Sequence, residues 1–382
     1  MRKRIAILGS TGSIGVNALK VISSLKDKFN VIGLAAESNI KALSQQVKEF
    51  RPRIVSIGDE KFAGDIRRSL SSGTKVVFGA EGLAELVSRG DVDMVLFSIS
   101  GNSCLVPLVQ AIRHKKEIAL ANKESLVSAG SIIMKMAESQ GVRIIPIDSE
   151  HSAIFQCLEG KRVYLNKVYL TGSGGPLLDV PKAQFDRMNR DFILRHPRWK
   201  MGKKISVDSA TMMNKGLEII EASHLFAVSE RRIEVVIHPE AVIHSMVELI
   251  DGTVFAQLGI PDMRIPIQYA LTYPARSRNM LKKLDLINIK KLSFSRPDTS
   301  RFPCLGFARQ AARSGGTYPA VLSASDEEAV RIYLKKEIPF SYIPKTIEKV
   351  LARHVNKVSP TIGEILEAGE WAKEEARSIC YH

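Results

Sequence analysis

One short stretch, residues 196–218, concentrates side chains that bind anions and polyols. Its cationic, hydroxyl, amide and carboxylate groups are those of His196, Arg198, Lys200, Lys203, Lys204, Ser206, Ser209, Thr211, Asn214, Lys215 and Glu218. Phosphates and sugar hydroxyls are bound by donors of these kinds. On a helix Asn214 and Glu218, four residues apart, share one face with Lys215 nearby. The stretch therefore predicts a site for a charged, oxygen-rich small molecule.

A second polar cluster lies in residues 146–153, where Asp148 and Glu150 follow an apolar run. With Glu218 they form an all-oxygen set, and such hard ligands suit Mg²⁺ or Mn²⁺. The alternative is that Asp148 caps a helix predicted over residues 151–158 and Glu150 is an acid of its first turn. Spacing leaves both interpretations open, and the basic stretch at 196–218 favours the metal.

The glycine pattern GSTGSIG at residues 9–15 follows a predicted strand and opens a predicted helix. In that context glycines allow a tight turn and close approach of a pyrophosphate to the helix N-terminus. The spacing is GxxGxxG, a variant of the dinucleotide fingerprint, and a plain strand-to-helix turn is the competing interpretation.

Glu37 ends the second predicted strand. In NAD-dependent enzymes an acid at this place binds a ribose hydroxyl, so Glu37 favours NAD over NADP. The alternative is that Glu37 is a solvated acid in a loop.

Further candidates are weaker. Residues 171–176, TGSGGP, place Ser173 among glycines whose backbone N–H groups suit an anion nest, although a flexible turn is equally consistent. The histidines at 151, 196, 238 and 244 are potential substrate donors or acid–base groups, although a single histidine is more often a hydrogen-bonded structural residue. The four cysteines form no CxxC pair, which argues against a zinc site and a disulfide framework.

The elements that must position these residues predict an α/β fold. Strands over residues 4–8, 30–35, 94–98, 117–120 and 143–147 alternate with helices over 13–24 and 125–138, which indicates a parallel sheet. Strands over 163–171, 235–248 (interrupted at His238-Pro239) and 252–259 indicate an α+β region. Helices over 344–356 and 361–378 follow, and Ser325 to Glu328 reads as a capping box opening a helix through Lys336.

Composition narrows the class of protein. The formal net charge of +15 is spread along the chain with no aromatic-interleaved basic tract, which argues against nucleic acid and allows a general attraction for phosphorylated ligands. No apolar run reaches the roughly 20 residues of a membrane span. The opening MRKRIAILGSTGSIG is basic, but its apolar stretch stops at the glycine turn, so we expect a first β-strand of a cytoplasmic protein.

With GSTGSIG, ANKESLVSAG, PIDSEHSAIFQCL, TGSGGP, HPRWKMGKKISVDSATMMNKGLE and HPEAVIHSMVELIDG in this order, the chain resembles the 1-deoxy-D-xylulose 5-phosphate reductoisomerase family over nearly its whole length. The resemblance implies a V-shaped homodimer. It also implies a Rossmann-like NADPH domain at 1–150, a catalytic and metal-binding domain at 151–275 with a lid at 196–204, a linker at 276–300 and a helical domain at 301–382.

The same resemblance implies roles for individual residues. One Mn²⁺ or Mg²⁺ is held by Asp148, Glu150 and Glu218, with Lys123 and His196 as further catalytic groups. Contacts to the phosphorylated sugar substrate fall on Lys123, Ser149, Glu150, Ser173, His196, Trp199, Ser209, Asn214, Lys215 and Glu218. Contacts to NADPH fall on Thr11, Gly12, Ser13, Ile14, Glu37, Ser38, Asn39, Asn122, Glu124 and Gly202. The implied retro-aldol and aldol rearrangement needs a metal to polarise the ketone before hydride transfer.

Three positions depart from the family pattern. Glu37 replaces a glycine before the 2′-phosphate-binding residue, which leaves NADP preference open; Cys104 replaces a glycine near the nicotinamide, and Arg198 a smaller lid residue. In the lid we expect Trp199 to lie over the substrate, the alternative being a permanent core residue. Two rival functions remain. A semialdehyde dehydrogenase would need a catalytic cysteine, for which Cys157 is the candidate, and a non-catalytic dinucleotide sensor would not need the acidic triad.

Overall fold

The chain folds into two compact units, each with its own β-sheet. The computed structural model describes residues 2–67, 70, 73–199 and 201–381. The first unit comprises Met1–Asn122, Ile133–Ser152 and Asp262–Leu281, and the second Lys123–Ile132, Ala153–Pro261 and Lys282–His382. Within the described ranges no helix combines the length and the apolar character that crossing a membrane requires.

The structure contains the predicted strands and, between the predicted elements, further strands and helices that were not predicted. The strands are β1 (Lys3–Leu8), β2 (Phe29–Ala36), β3 (Ile54–Ile57), β4 (Lys75–Phe78), β5 (Met94–Phe97), β6 (Glu117–Leu120), β7 (Ile144–Pro146), β8 (Leu165–Gly172), β9 (Ile233–Ile237), β10 (Ile243–Leu249) and β11 (Val254–Leu258). The helices are α1 (Ser13–Ser24), α2 (Ile40–Phe50), α3 (Ala63–Arg67), α4 (Gly79–Ser88), α5 (Leu105–Arg113), α6 (Lys123–Gln140), α7 (Ser149–Cys157), α8 (Arg190–Leu194), α9 (Lys203–Thr211), α10 (Met213–Phe226), α11 (Arg264–Thr272), α12 (Leu286–Ile289), α13 (Cys304–Ser314), α14 (Tyr318–Leu334), α15 (Tyr342–Arg353) and α16 (Ile362–Tyr381).

The first unit contains a seven-stranded parallel sheet in the order β4-β3-β2-β1-β5-β6-β7. Its inner strands are apolar and buried along their length, as in β5, because helices cover both faces of a parallel sheet. Helix α1 buries Ala18, Leu19 and Ile22 in the same core as Ile267 and Leu271 of α11. The parallel α/β architecture predicted for this part of the chain is confirmed.

The second unit contains a mixed sheet in the order β11-β10-β8-β9. Strands β8 and β9 are parallel, whereas β10 runs antiparallel to both β8 and β11. The predicted interruption at His238-Pro239 is a complete break, and β8 separates the two resulting strands. His238 is buried there, with its Nδ1 2.9 Å from the Ser293 carbonyl oxygen, so it has a structural role.

The C-terminal helices of the second unit are built around α14, most of whose side chains are buried. The capping-box prediction is wrong, because Ser325 to Glu328 lie inside this helix. It begins at Tyr318, with a proline in its first turn, the position where proline is best tolerated. Ser325 is fully buried and its hydroxyl donates to the Leu322 carbonyl oxygen (3.0 Å).

Candidate active site

The glycine turn of the first unit joins β1 to α1 at the carboxyl edge of the sheet. Gly9 has φ +87°, and a Cβ there would lie 2.6 Å from the Ser98 carbonyl oxygen; one on Gly15 would lie 2.3 Å from the Gly9 carbonyl oxygen. These two glycines are therefore required by backbone packing, as the plain-turn interpretation proposed. Gly12, the N-cap of α1, and Ser13 are exposed, whereas Thr11 and Ile14 are half-buried.

This turn lies where the strand order reverses, between β1 and β5. In open α/β sheets a ligand binds at such a switch point, outside the carboxyl ends of the strands. The segment after β5 is fixed there by Asn122, whose buried amide donates to the carbonyl oxygens of Ile99 (2.9 Å) and Gly101 (3.0 Å). Cys104 is fully buried, so its thiol is part of the core. The geometry of this edge suits a dinucleotide.

Glu37, Ser38 and Asn39 are exposed between β2 and α2, on the same edge of the sheet. The Glu37 carboxylate lies against Gly58, where an added Cβ would come 2.5 Å from its carboxyl carbon. Asn39 caps α2 by accepting from the Ala42 amide (3.2 Å), which leaves its own amide group as the part that can donate to a phosphate.

The acidic pair of the first unit follows β7 and starts α7. Asp148 Oδ1 accepts from the amides of Glu150 (3.1 Å) and His151 (3.4 Å) and lies 3.0 Å from His151 Nδ1. The Ser149 hydroxyl donates to Glu150 Oε2. Asp148 is thus a helix cap, as the structural alternative proposed. Capping and metal binding are compatible, because the cap uses one carboxylate oxygen and a cation needs only one from each acid.

In the second unit, the basic stretch converges on Glu218, which is 1% exposed. Its carboxylate accepts from Lys123 Nζ (3.1 Å), Lys215 Nζ (2.6 Å) and the Asn214 amide, and Lys123 also donates to Asn214 Oδ1 (2.8 Å). The predicted shared helical face of Asn214, Lys215 and Glu218 is confirmed. The buried ammonium groups of Lys123 and Lys215 beside one carboxylate are donors of the kind that binds an anionic ligand.

The loop after β8 lies against the same network. A Cβ on Gly172 would lie 2.8 Å from the Lys215 side chain, and one on Gly175 would lie 2.5 Å from the Ser209 carbonyl oxygen. Gly174 and Gly175 both have positive φ, which turns the backbone sharply after Ser173. Ser173, Ser209 and Lys215, predicted substrate contacts from three separate segments, are therefore brought together.

His196 joins this group as a neutral hydrogen-bond donor. Its Nδ1 accepts from the backbone amides of Arg198 (3.2 Å) and Trp199 (2.9 Å), which assigns the ring proton to Nε2, 3.0 Å from the Ser173 hydroxyl oxygen. Burial, with help from the nearby Lys215 and Arg198 charges, lowers the pKa of His196 to about 4. The ring is therefore uncharged at neutral pH.

Two further residues of the predicted lid, Arg198 and Trp199, contact the segment between β9 and β10 and strand β10 itself. The half-buried Trp199 ring packs on His244, with centroids 6.0 Å apart, and Arg198 Nε donates to the Pro239 carbonyl oxygen (2.7 Å). Burial lowers the pKa of His244 to about 4, so this ring is neutral too. Lys200 lies outside the described residues. Gly202 is the exposed N-cap of α9, and the half-buried Glu124 lies in the first turn of α6.

The cysteine required by a semialdehyde dehydrogenase is not activated. Burial raises the pKa of the Cys157 thiol to about 11, which keeps it protonated at neutral pH. All four cysteines are free thiols. Sequence reasoning also missed a buried charged group, Lys204 with Asp208 and Asp326. The i, i+4 spacing of the first two on α9 was the available signal.

Comparisons with known proteins match the chain to one enzyme family along nearly its whole length. The family model described as 1-deoxy-D-xylulose 5-phosphate reductoisomerase matches residues 5–130, and two models of the C-terminal domain of the same enzyme match 144–226 and 258–375. The reductoisomerase of Acetivibrio thermocellus is 51% identical over 99% of this chain and 100% of its own length. Reductoisomerase 1 of Bacillus thuringiensis subsp. konkukian is 47% identical over 99% of each chain.

Solved structures of enzymes with the same name also match this chain. The reductoisomerase from Zymomonas mobilis in complex with NADPH matches with a TM-score of 0.93 and 38% identity, covering 100% of this chain and 99% of that one. A reductoisomerase in complex with NADPH, fosmidomycin and magnesium also gives a TM-score of 0.93, with 36% identity over 99% of this chain and 98% of the other.

Proposed function

The chain belongs to the 1-deoxy-D-xylulose 5-phosphate reductoisomerase family, and from this premise we propose that Asp148, Glu150 and Glu218 hold the divalent cation of its reaction. The activity is the NADPH-dependent conversion of 1-deoxy-D-xylulose 5-phosphate to 2-C-methyl-D-erythritol 4-phosphate in the non-mevalonate isoprenoid pathway. It proceeds by an intramolecular rearrangement followed by hydride transfer. The observation that supports the metal site is the pair of carboxylates, Asp148 and Glu150, at the start of α7, and the lysines on Glu218 support the binding of the anionic substrate beside it.

The residues fit a hard divalent cation. All three ligands are carboxylates, and magnesium is the metal in the solved relatives. Manganese is proposed as a second metal that the same oxygen set accepts. When bound, the cation supplies a Lewis acid for the substrate ketone, and NADPH supplies the hydride.

The remaining side chains bind and orient the substrate. Lys215, Asn214, Ser173 and Ser209 anchor the phosphate, whose binding energy is then available to the reacting end of the molecule. Lys123 Nζ, which donates to Glu218, can transfer a proton to a substrate oxygen and balance its charge. Glu150 assists in proton movement, and Ser149 supplies a further hydroxyl contact.

His196 and Trp199 close over the substrate. The neutral His196 ring donates from Nε2, now towards Ser173 and in the complex towards the phosphorylated substrate. Trp199 covers the carbon chain and excludes water. The lid is residues 196–204.

The cofactor is assigned to the carboxyl edge of the first unit's sheet. Thr11, Gly12, Ser13 and Ile14 approach the pyrophosphate at the N-terminus of α1, where backbone N–H groups favour anions. Ser38 and Asn39 bind the 2′-phosphate beside Glu37. Asn122, Glu124 and Gly202 complete the set of contacts.

The domain limits, assembly and compartment are part of the same proposal. We assign residues 1–150 to NADPH binding, 151–275 to catalysis, 276–300 to a linker and 301–382 to a helical domain. The protein works in the cytoplasm, a reducing compartment consistent with four free thiols.

A homodimer is supported by β11, the edge strand of the second unit's sheet. Its Val254, Phe255 and Leu258 side chains are 48%, 37% and 37% exposed. A second copy can cover such an edge symmetrically, because antiparallel pairing of two identical edge strands obeys a two-fold axis.

An NADPH-oxidation assay tests the activity. We expect oxidation only when 1-deoxy-D-xylulose 5-phosphate and Mg²⁺ or Mn²⁺ are both present, with 2-C-methyl-D-erythritol 4-phosphate as the product identified by NMR. Oxidation that survives a metal chelator, or NADPH binding without turnover, would contradict the proposal.

A further inference from the structure

A buried charged cluster in the second unit joins the end of the lid to the C-terminal helices. Lys204 Nζ, in the first turn of α9, lies 2.6 Å from Asp208 Oδ2 on the same helix and 2.8 Å from Asp326 Oδ2 on α14. The side chains of Asp208 and Asp326 are 3% and 0% exposed. The Lys204 side chain keeps some exposure along its stem, but its ammonium group lies between the two acids.

Two buried acids on one lysine carry an excess negative charge unless they also hold a proton. Burial, together with the Asp326 charge, raises the pKa of Asp208 well above its ordinary value. Burial acts to lower the pKa of Lys204, but the two acids outweigh it and the pKa lies above its ordinary value. Among the described residues, Asp208 Oδ1 and both oxygens of Asp326 have no hydrogen-bond partner, so Lys204 holds Asp326 by charge, as an ion pair.

Among the described residues, the charges that act most strongly on Lys204 and Asp208, besides their own pairing, are those of Asp326 and Glu124. Glu124 of α6 acts on both Lys204 and Asp208 as a further negative charge, and the Cys304 thiol of α13 is protonated because burial raises its pKa. Arg190, on the neighbouring α8, donates to the Leu334 carbonyl oxygen, and Lys215 of α10 is paired with Glu218. The raised pKa of Asp208 favours its protonated form, which leaves Lys204 and Asp326 as a balanced pair of opposite charges.

The cluster holds a helix that carries a substrate contact. The last two residues of the lid, Lys203 and Lys204, begin helix α9, and the far end of this helix places the Ser209 carbonyl oxygen against Gly175 of the phosphate-binding loop. Fixing Lys204 therefore fixes both where the lid ends and where Ser209 stands.

We propose that Asp326 is a positioning residue for substrate binding. Together with Asp208 it binds Lys204, and this three-residue clamp holds the junction of the lid and α9 against α14. Asp326 touches neither substrate nor cofactor and acts through Ser209 and the lid. The inference rests on the proposed function, because the ligand whose binding it serves is the sugar phosphate.

The raised pKa of Asp208 gives the clamp a pH signature. The folded state keeps a proton that an unfolded aspartate releases near its ordinary pKa, so the cluster's contribution to the unfolding free energy declines as pH rises above that value. Asp326→Asn removes one acid while keeping its shape. Asp208 and Lys204 then form a neutral pair with no added proton, and this decline should disappear.

Two variants of Asp326 test the clamp. Asp326→Ala removes the side chain beyond Cβ, and Asp326→Asn is the conservative variant that keeps its shape. We expect Asp326→Ala to raise the KM for 1-deoxy-D-xylulose 5-phosphate about fivefold, within the range for network residues that contact no ligand. The kcat and the KM for NADPH should change less than about twofold, because the cluster contacts neither the cofactor nor the reacting atoms. Asp326→Asn should restore the parental KM. If Asp326→Ala does not accumulate as folded protein, Lys204→Gln takes its place in the same measurement.

Denaturant unfolding between about pH 5 and pH 8 provides the second measurement. The unfolding free energy of the parent should fall relative to that of Asp326→Asn as pH rises. The control Glu234→Gln, which breaks the exposed pair with Lys167, should follow the parent in both measurements. An unchanged KM in Asp326→Ala, or parallel pH curves for the parent and Asp326→Asn, would overturn the proposal. A parent that folds but does not turn over would refute the proposed function, while the unfolding curves still decide whether the cluster holds a proton.

Discussion

At the residue scale, the assignment of the metal depends on Asp148. One of its oxygens caps α7, an interaction that asparagine can retain, so Asp148→Asn removes a ligand charge without removing the cap. We expect kcat to fall by at least about 100-fold, since even partners outside the ligand shell cost about 10- to 100-fold. NADPH binding, measured by fluorescence, should stay near parental. The exposed turn residue Asp251 offers the control Asp251→Asn, and parental turnover of Asp148→Asn at limiting metal would remove Asp148 from the site.

Cofactor choice is also decided by single residues. Ser38 and Asn39 can bind a 2′-phosphate, so we expect NADPH to be preferred, by a narrower margin than glycine at position 37 would give. Two like charges about 4 Å apart in water repel by about 1 kcal/mol, so Glu37→Gly should widen the NADPH-to-NADH ratio of kcat/KM about fivefold. Glu37→Gln, which removes the charge alone, should give most of this effect. A parent enzyme that uses NADH as well as NADPH would contradict the expected preference.

At the scale of the element, the lid is anchored by Trp199 on His244 and by Arg198 on Pro239. These contacts hold the lid in place although it carries several positive charges that repel one another. Trp199 nevertheless remains half-buried. We expect Trp199→Ala to weaken substrate binding and kcat together, and to cost no more than about 1 kcal/mol of unfolding free energy. A larger loss of stability with parental kinetics would identify Trp199 as a core residue.

Mobility of the lid is measured separately, by hydrogen exchange of residues 196–204. Protection should rise when metal, NADPH and fosmidomycin, the compound bound in a solved relative, are added together. Exchange at 375–381, near the end of α16, serves as the reference. High protection that the ligands do not change would mean that the segment does not act as a lid.

At the scale of the whole molecule, the proposed dimer buries the β11 edge. Phe255 is one of its exposed apolar side chains and lies under Lys161 Nζ, 5.0 Å from the ring centroid. Phe255→Lys would put two like charges together at a dimer contact, so sedimentation should show a shift towards monomer. Val358→Lys, an equally apolar-to-charged change at an exposed loop position, should leave the assembly intact. A parent that sediments as a monomer would refute the homodimer.

The sequence by itself determined the class of the fold and the elements with strong local signals. Helix α1 was predicted with its observed bounds, and the bounds of five strands within about two residues, namely β1, β2, β5, β6 and β7. These elements were predictable because the spacing of apolar residues and the glycine turn are patterns among neighbouring residues. Strands β3 and β4 and helices α2 to α5 were not predicted. The family, and with it the candidate residues, also came from sequence, since long ordered motifs do not depend on knowing the fold.

Tertiary structure alone decided what those residues do to one another. Glu218 meets Lys123 across 95 positions of sequence, and His196 is neutral because packing buries it beside Lys215. The apparent capping box at Ser325 failed for the same reason. A local pattern cannot indicate that a helix begins seven residues earlier, or that Asp326 is buried against Lys204. Burial and long-range pairing set charge states and partners, and neither is a property of adjacent residues.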